Sequence, residues 1–239
     1  MLVVYSAQAQ KVKIKAVPDS IKVPFFNGIF VQGDVASVAS SFFSKGETYS
    51  YEASVQADIK HKLLPVIEFG YAGADKTTTD NVGFKTNGYF ERFGLDLNVL
   101  THKKDSKPTS NLFLVGLRLG MSNFKYNIYN LTVTDDYWGG LPVNTNYNNI
   151  ATTKTWYELA VGVRVEVWKN IFMGWTVRSK TLISKDKDGA PTPWYIPGFG
   201  INNTGSSLGI NYTIGYKFHL PTKKKPLHKE KQSAIVVKE

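Results

Sequence analysis

Hydrophobic and polar side chains alternate along most of this chain with a period of two, the spacing that sends successive residues to opposite faces of a strand. The clearest run lies between Tyr49 and Lys60. Tyr49, Tyr51, Ala53, Val55, Ala57 and Ile59 form one face, and Ser50, Glu52, Ser54, Gln56, Asp58 and Lys60 form the other. Residues 207–218 repeat the pattern, with Leu208, Ile210, Tyr212, Ile214, Tyr216 and Phe218 opposite Ser207, Gly209, Asn211, Thr213, Gly215 and Lys217. Between them the same reading predicts strands over 28–41, 64–74, 84–99, 111–126, 154–168 and 171–184, eight in all. Connections at 61–63 and 169–170 are tight, those at 43–48 and 75–83 are moderate, and those at 127–153 and 185–206 are long. Short turns on one rim and long loops on the other describe an antiparallel up-and-down barrel that crosses a membrane. Only the turn over 101–110 is longer than that pattern expects.

The chemistry of the two faces separates a membrane barrel from a soluble one, whose charges face outward. Parity places Asp34, Glu52, Asp58, Glu68, Arg92, Asp96, Arg118, Glu158, Arg164, Glu166, Arg178, Lys180 and Lys217 on one face, an almost balanced set of acids and bases. The opposite face is aromatic and β-branched, as in Phe93-x-Leu95-x-Leu97 and Val161-x-Val163-x-Val165-x-Val167. That face suits lipid, and the balanced face suits a closed interior. The chain has four arginines against 25 lysines, and Arg92, Arg118, Arg164 and Arg178 all fall mid-strand on the inner face. A guanidinium makes planar, multi-donor contacts with carboxylates and tolerates burial better than an ammonium. A salt-bridge network of these arginines with Glu52, Glu68, Asp96, Glu158 and Glu166 is therefore expected to fill the lumen. An eight-stranded barrel is just wide enough for side chains to fill it. The expected fold class is all-β: an eight-stranded antiparallel up-and-down transmembrane β-barrel with a polar, side-chain-filled lumen over residues 28–220.

Composition changes this picture in three places. No stretch approaches the roughly 20 apolar residues of a membrane helix. Cysteine is absent, which removes disulfides, thiol chemistry and a lipid-modified N-terminal cysteine. The start, Met1-Leu-Val-Val-Tyr-Ser-Ala-Gln-Ala9, reads as the remnant of a signal peptide with an Ala-x-Ala site, its true start expected upstream. Residues 10–27 are then a periplasmic segment with Lys11, Lys13, Lys15 and Lys22, and 221–239 a basic periplasmic tail. With an even strand count both termini lie on the periplasmic side. These basic ends supply much of the net charge of +10 and either meet lipid phosphates or an acidic partner, or serve only as solvated ends.

The final strand, Gly209-Ile-Asn-Tyr-Thr-Ile-Gly-Tyr-Lys-Phe218, resembles the terminal strand signal of bacterial outer-membrane barrels, with its alternating apolar residues and late aromatic. Some 20 residues follow Phe218, a departure from a strictly C-terminal signal. The Ser-Ala-Gln-Ala-Gln leader and the layout are similar to the small outer-membrane barrels of Bacteroidota. The resemblance implies a Gram-negative outer-membrane address, contact with outer-membrane lipid, and the barrel-assembly machinery as a partner during insertion.

Candidate chemistry is sparse. His61, His102, His219 and His228 fall at or beyond the periplasmic rim, and no pair has metal-ligand spacing. Barrel enzymes that modify lipid A need a histidine with a serine and an acid toward the outer leaflet, which this chain does not place there. Glu158, Arg164 and Glu166 read as lumen charges rather than an acid–base pair. Gly139-Gly140 and Gly198-Phe-Gly200 read as turn glycines, without the strand-glycine-helix context of a phosphate loop. No catalytic residue, metal, cofactor or nucleic-acid partner is expected. Tyr137, Trp138, Trp194 and Tyr195 stand among Pro and Gly in the two long loops. Such aromatics either bind a partner or ligand, or fold over the barrel mouth and bury themselves. The expected role is a non-enzymatic structural or accessory component of a larger outer-membrane assembly, packed against another outer-membrane protein. The alternatives are a surface module that recognises a glycan or ligand through those aromatics and, further off, a lipid A-modifying enzyme.

Overall fold

A computed structural model describes residues 24–100, 110–133, 142–184 and 191–219. Eight antiparallel strands close into a ring: β1 (Phe26–Asp34), β2 (Thr48–Ile59), β3 (Leu63–Thr77), β4 (Gly83–Asn98), β5 (Leu112–Val133), β6 (Val143–Trp168), β7 (Ile171–Leu182) and, last in the chain, β10 (Ser206–Phe218). Each of these strands pairs with its neighbours in the sequence, and β1 pairs with β10 to complete the barrel. The remaining elements are a helix, α1 (Val35–Phe43), and a small hairpin of β8 (Tyr195–Ile196) with β9 (Gly200–Ile201).

The alternation in the sequence becomes an alternation of burial. Along β5 from Leu112 to Tyr126 every second residue is buried and every other one is exposed. At the short-turn rim, Lys60 and His61 between β2 and β3 and Asn170 between β6 and β7 adopt positive φ, which reverses the chain within two or three residues. The connections that hold α1 and the β8–β9 hairpin lie at the opposite rim.

The strand expected over 28–41 stops at Asp34, and Val35–Phe43 is helical. Asp34 switches the chain, because its carboxylate accepts the Ala36 N–H at 3.1 Å and satisfies a first-turn donor. The following Val-Ala-Ser-Val-Ala-Ser-Ser-Phe-Phe fits helical spacing as well as alternation. The long loop expected over 127–153 is largely strand, since β5 continues to Val133 and β6 begins at Val143. This hairpin rises beyond both neighbours: β4 ends opposite Tyr129 and β7 ends opposite Trp156. Two register shifts bend it, with Asn130 and Asn149 at positive φ.

The core lies inside the ring. Towards the short-turn rim it is a small apolar cluster of Phe30, Leu64, Leu112, Leu114 and Phe172. Towards the loop rim a larger one gathers Phe84, Phe90, Phe124, Tyr126, Trp156 and the hairpin residues Tyr195, Ile196 and Phe199. Between these two apolar layers sits the charge.

Candidate functional site

Glu68 on β3 is the centre of the charged layer. Its carboxylate accepts from Arg92 Nη1 at 2.9 Å, Arg118 Nε at 2.7 Å and Arg178 Nη1 at 2.6 Å. Those arginines come from β4, β5 and β7, so one acid holds three strands on different sides of the lumen. Glu158 on β6 lies 2.8 Å from Arg92 Nε and accepts the indole N–H of Trp156 at 2.7 Å. Glu52 on β2 pairs with Arg92 at 2.8 Å and Arg178 at 3.3 Å. Asp96 accepts from Arg118 at 3.0 Å and from the amide of Gln56 at 2.6 Å. The side chains that form these ion pairs are each at most 6 % exposed. Charges this deep persist only when paired, and every member of this set has an opposite charge within 3.0 Å.

Arg164 joins the layer with no carboxylate in ion-pair contact among the described residues. It donates to Gln56 Oε1 at 2.7 Å and lies 4.7 Å above the ring of Phe30, so an amide and an aromatic face receive the cation. Glu166 does not join. It sits at the short-turn rim, where its carboxylate accepts the Asn170 N–H at 2.9 Å and its own N–H donates to Asn111. The height of Glu166 on its strand, rather than its parity, takes it out of the expected network.

Glycines on the inner face make room for these large groups. A Cβ on Gly116 would lie 1.8 Å from Asp96 Oδ1, and one on Gly198 would meet the ring of Phe90 at 2.4 Å. Gly198 also has φ +79, a conformation natural to glycine. Its carbonyl accepts from Arg92 Nη2 and from Lys180 Nζ, each at 2.8 Å, so the hairpin is a plug fastened to the charged layer. A cavity of about 20 Å³ in that layer is lined by Glu68, Asp96, Arg118, Arg164 and Arg178 among others. That is room for a single water.

Trp194 and Tyr195 belong to this plug instead of an exposed binding surface. Tyr195 is 8 % exposed, and burial pushes its phenol up to about 12, so the ring stays neutral. Trp194 is half-buried, edge-on to Phe84 at 5.9 Å and beneath the ammonium of Lys76 at 5.8 Å. The self-burying alternative is the one the geometry matches. Tyr137 and Trp138 lie outside the described residues.

A second polar cluster has no local signature in the sequence. Asp58 accepts from Lys217 at 2.7 Å and from Asn27 at 2.9 Å, and its Oδ2 lies 3.2 Å from His61 Nδ1. It joins the end of β2 to the end of β10. The inward parity of Asp58 and Lys217 is the available signal; their pairing across 159 residues is not. Among the described residues no group of three or more His, Asp or Glu has the arrangement of a metal site.

No curated protein is similar to the chain at a significant level. A family model does match it, over residues 1–225 of the 239, and on that match the chain belongs to the family described as Domain of unknown function (DUF6048).

Proposed function

We propose that this protein is an outer-membrane β-barrel with a sealed lumen, acting as a non-enzymatic structural or accessory component of a larger assembly. One observation carries the reading: an exposed apolar band runs round the outside of the ring, interrupted by the outward-facing Glu91 and Ser179. Val55, Ile67, Phe93, Leu117, Val161, Val177 and Ile210 represent seven strands, and each is more than two-fifths exposed. Water gives such a surface no stability, whereas the hydrocarbon of a bilayer matches it. Tyrosines crown the band toward the loop rim, where Tyr49, Tyr71 and Tyr89 follow one another with Tyr71 and Tyr89 centroids 4.8 Å apart. Trp168, Tyr216 and Phe218 are exposed toward the other rim. Aromatic rings at both edges fit the two membrane–water interfaces. The barrel-assembly machinery is the expected insertion partner, and both termini are assigned to the periplasm.

The accessory role is favoured by the β5–β6 hairpin, which extends past the ends of β4 and β7 and exposes Val133 and Val143. A glycan-binding role is less favoured, because Trp194 and Tyr195 are engaged in the plug.

The test is extraction of native membranes with alkaline carbonate, followed by electrophoresis of the unheated protein. Retention in the membrane pellet with a heat-modifiable mobility is the expected result; release into the soluble fraction refutes the membrane reading. Planar bilayers report on the seal, with no stable conductance expected. Shortening the hairpin between residues 130 and 147 is expected to abolish stoichiometric recovery of an outer-membrane partner in mild detergent. Unchanged recovery places the contact elsewhere on the barrel.

A further inference from the structure

The seam between the first and last strands is a complete ladder only in its half nearest the short-turn rim. β1 pairs with β10 up to Asp34 opposite Thr213, and with β2 up to Gly33 opposite Ala53. Above that height Ser206–Tyr212 of β10 pairs only with β7, and Thr48–Glu52 of β2 only with β3. The helix α1 occupies the gap. It carries no charge and no buried residue, and it ends in Phe42 and Phe43, 79 % and 86 % exposed. Side-chain contacts stand in for the missing ladder. Ser41 Oγ accepts the Ser50 N–H at 3.3 Å, Ser44 Oγ donates to Thr48 O at 2.7 Å, and Asp34 accepts the Tyr212 N–H at 3.1 Å.

A cavity of about 260 Å³ lies at this gap. Outward-facing Tyr49 and Leu208 line it together with inward-facing Ser50, Ser207 and Lys180, so it reaches through the thickness of the wall. Lys180 is 9 % exposed, and a Cβ on the facing Gly209 would lie 3.4 Å from its Nζ. Two carbonyls of the plug, Gly198 O at 2.8 Å and Phe199 O at 3.2 Å, accept from the ammonium. Among the described residues no carboxylate lies within ion-pair distance of it, though Glu158 stands opposite it in the β6–β7 register and, with Glu52, attracts the ammonium. The neighbouring layer sets four arginines against Glu52, Glu68, Asp96 and Glu158; Glu52 and Glu158 are already paired with Arg92 and Arg178, so Lys180 is a further buried cation beyond that balance. An ammonium has three donors, and a buried cation whose nearest carboxylates are committed to arginines, beside an open cavity, marks a place for an anion.

We propose that this gap is a lateral binding site for an anionic single-chain lipid of the fatty-acid class. The carboxylate meets Lys180 Nζ, and the acyl chain leaves between α1 and β10, past Leu208, into the surrounding hydrocarbon. The proposal rests on the membrane reading above.

The test incubates the delipidated full-length barrel in neutral detergent with oleate and counts retained lipid by native mass spectrometry. Methyl oleate supplies the chain without the charge, and acetate, added as competitor, supplies the charge without the chain. One oleate per barrel is expected, with affinity reduced at least about tenfold in Lys180→Met and for the ester, the loss of one charge-assisted hydrogen bond. Leu208→Trp, which blocks the outer mouth and leaves the buried charges alone, is expected to reduce binding as well. Heat-modifiable mobility checks that each variant is folded, and either variant suffices if the other is not. Equal retention of acid and ester, or full retention by the folded variants, overturns the site. Displacement by acetate as readily as by free oleate also overturns it, since that describes an anion pocket without a lipid. Carbonate extraction is read separately: a barrel that stays in the membrane but retains no oleate refutes only this site.

Discussion

Gly116 and Leu117 are adjacent on β5 and meet different surroundings. Gly116 faces inward beneath Asp96, where no Cβ fits, while Leu117 is 57 % exposed on the outer band. The same contrast runs around the ring, because each strand offers alternate residues to a charged interior packed like a crystal and to an outer face that asks only for apolarity. Inward positions are therefore specified by shape and charge together, and outward ones by chemistry alone.

The largest test of that difference removes the centre of the charged layer. Glu68→Ala leaves Arg92, Arg118 and Arg178 without their shared acceptor and is expected to cost about 3–5 kcal/mol, the usual loss when a buried pair keeps one partner. Urea unfolding of the refolded barrel in lipid vesicles reads it, and a midpoint close to wild type would mean that water enters the lumen. Next comes a charge placed on the outer band. Leu159→Arg in the same vesicles is expected to lose about 2–4 kcal/mol, the cost of arginine near the midplane. An unchanged midpoint there would argue that this strand faces protein or water instead of lipid. The finest comparison uses the two neighbours. Gly116→Val displaces the Asp96 carboxylate and is expected to lose about 1–3 kcal/mol, as overpacking does. Leu117→Met, one residue along, is expected to stay within about 0.5 kcal/mol. Equal effects at 116 and 117 would remove the distinction between the two faces.

Much of this contrast is legible in the amino-acid order itself. A period of two is unambiguous over 12 or more residues, so the faces of β2 and β10 and the inward arginines follow from spacing alone. Parity gives a face but not a height, and that is why spacing groups Glu166 with acids it does not meet. The roles of Gln56 and Lys180 are not legible in this way, because their partners are an arginine 108 residues away and carbonyls of a plug whose fold local sequence does not announce. The helix α1 hides in a Val, Ala and Ser stretch compatible with either period. The upper part of the β5–β6 hairpin hides for the opposite reason, since its asparagines suggest turns; several instead hydrogen-bond across it, as Asn146 does to the Asn130 N–H at 2.8 Å.

The pairing of Asp58 with Lys217 has a consequence for the order in which the molecule is made. It joins residues 159 positions apart, and the β1–β10 ladder beside it spans nearly the whole described chain. Closure thus waits for the last strand to be delivered, and until then the first and last edges both stand open to any other strand. Closing so long a loop is slow, since its entropy is lost before the contacts form. Lys217 acts as a latch that engages only once β10 is in place, and a product ending before Ser206 would remain an open sheet with two adhesive edges.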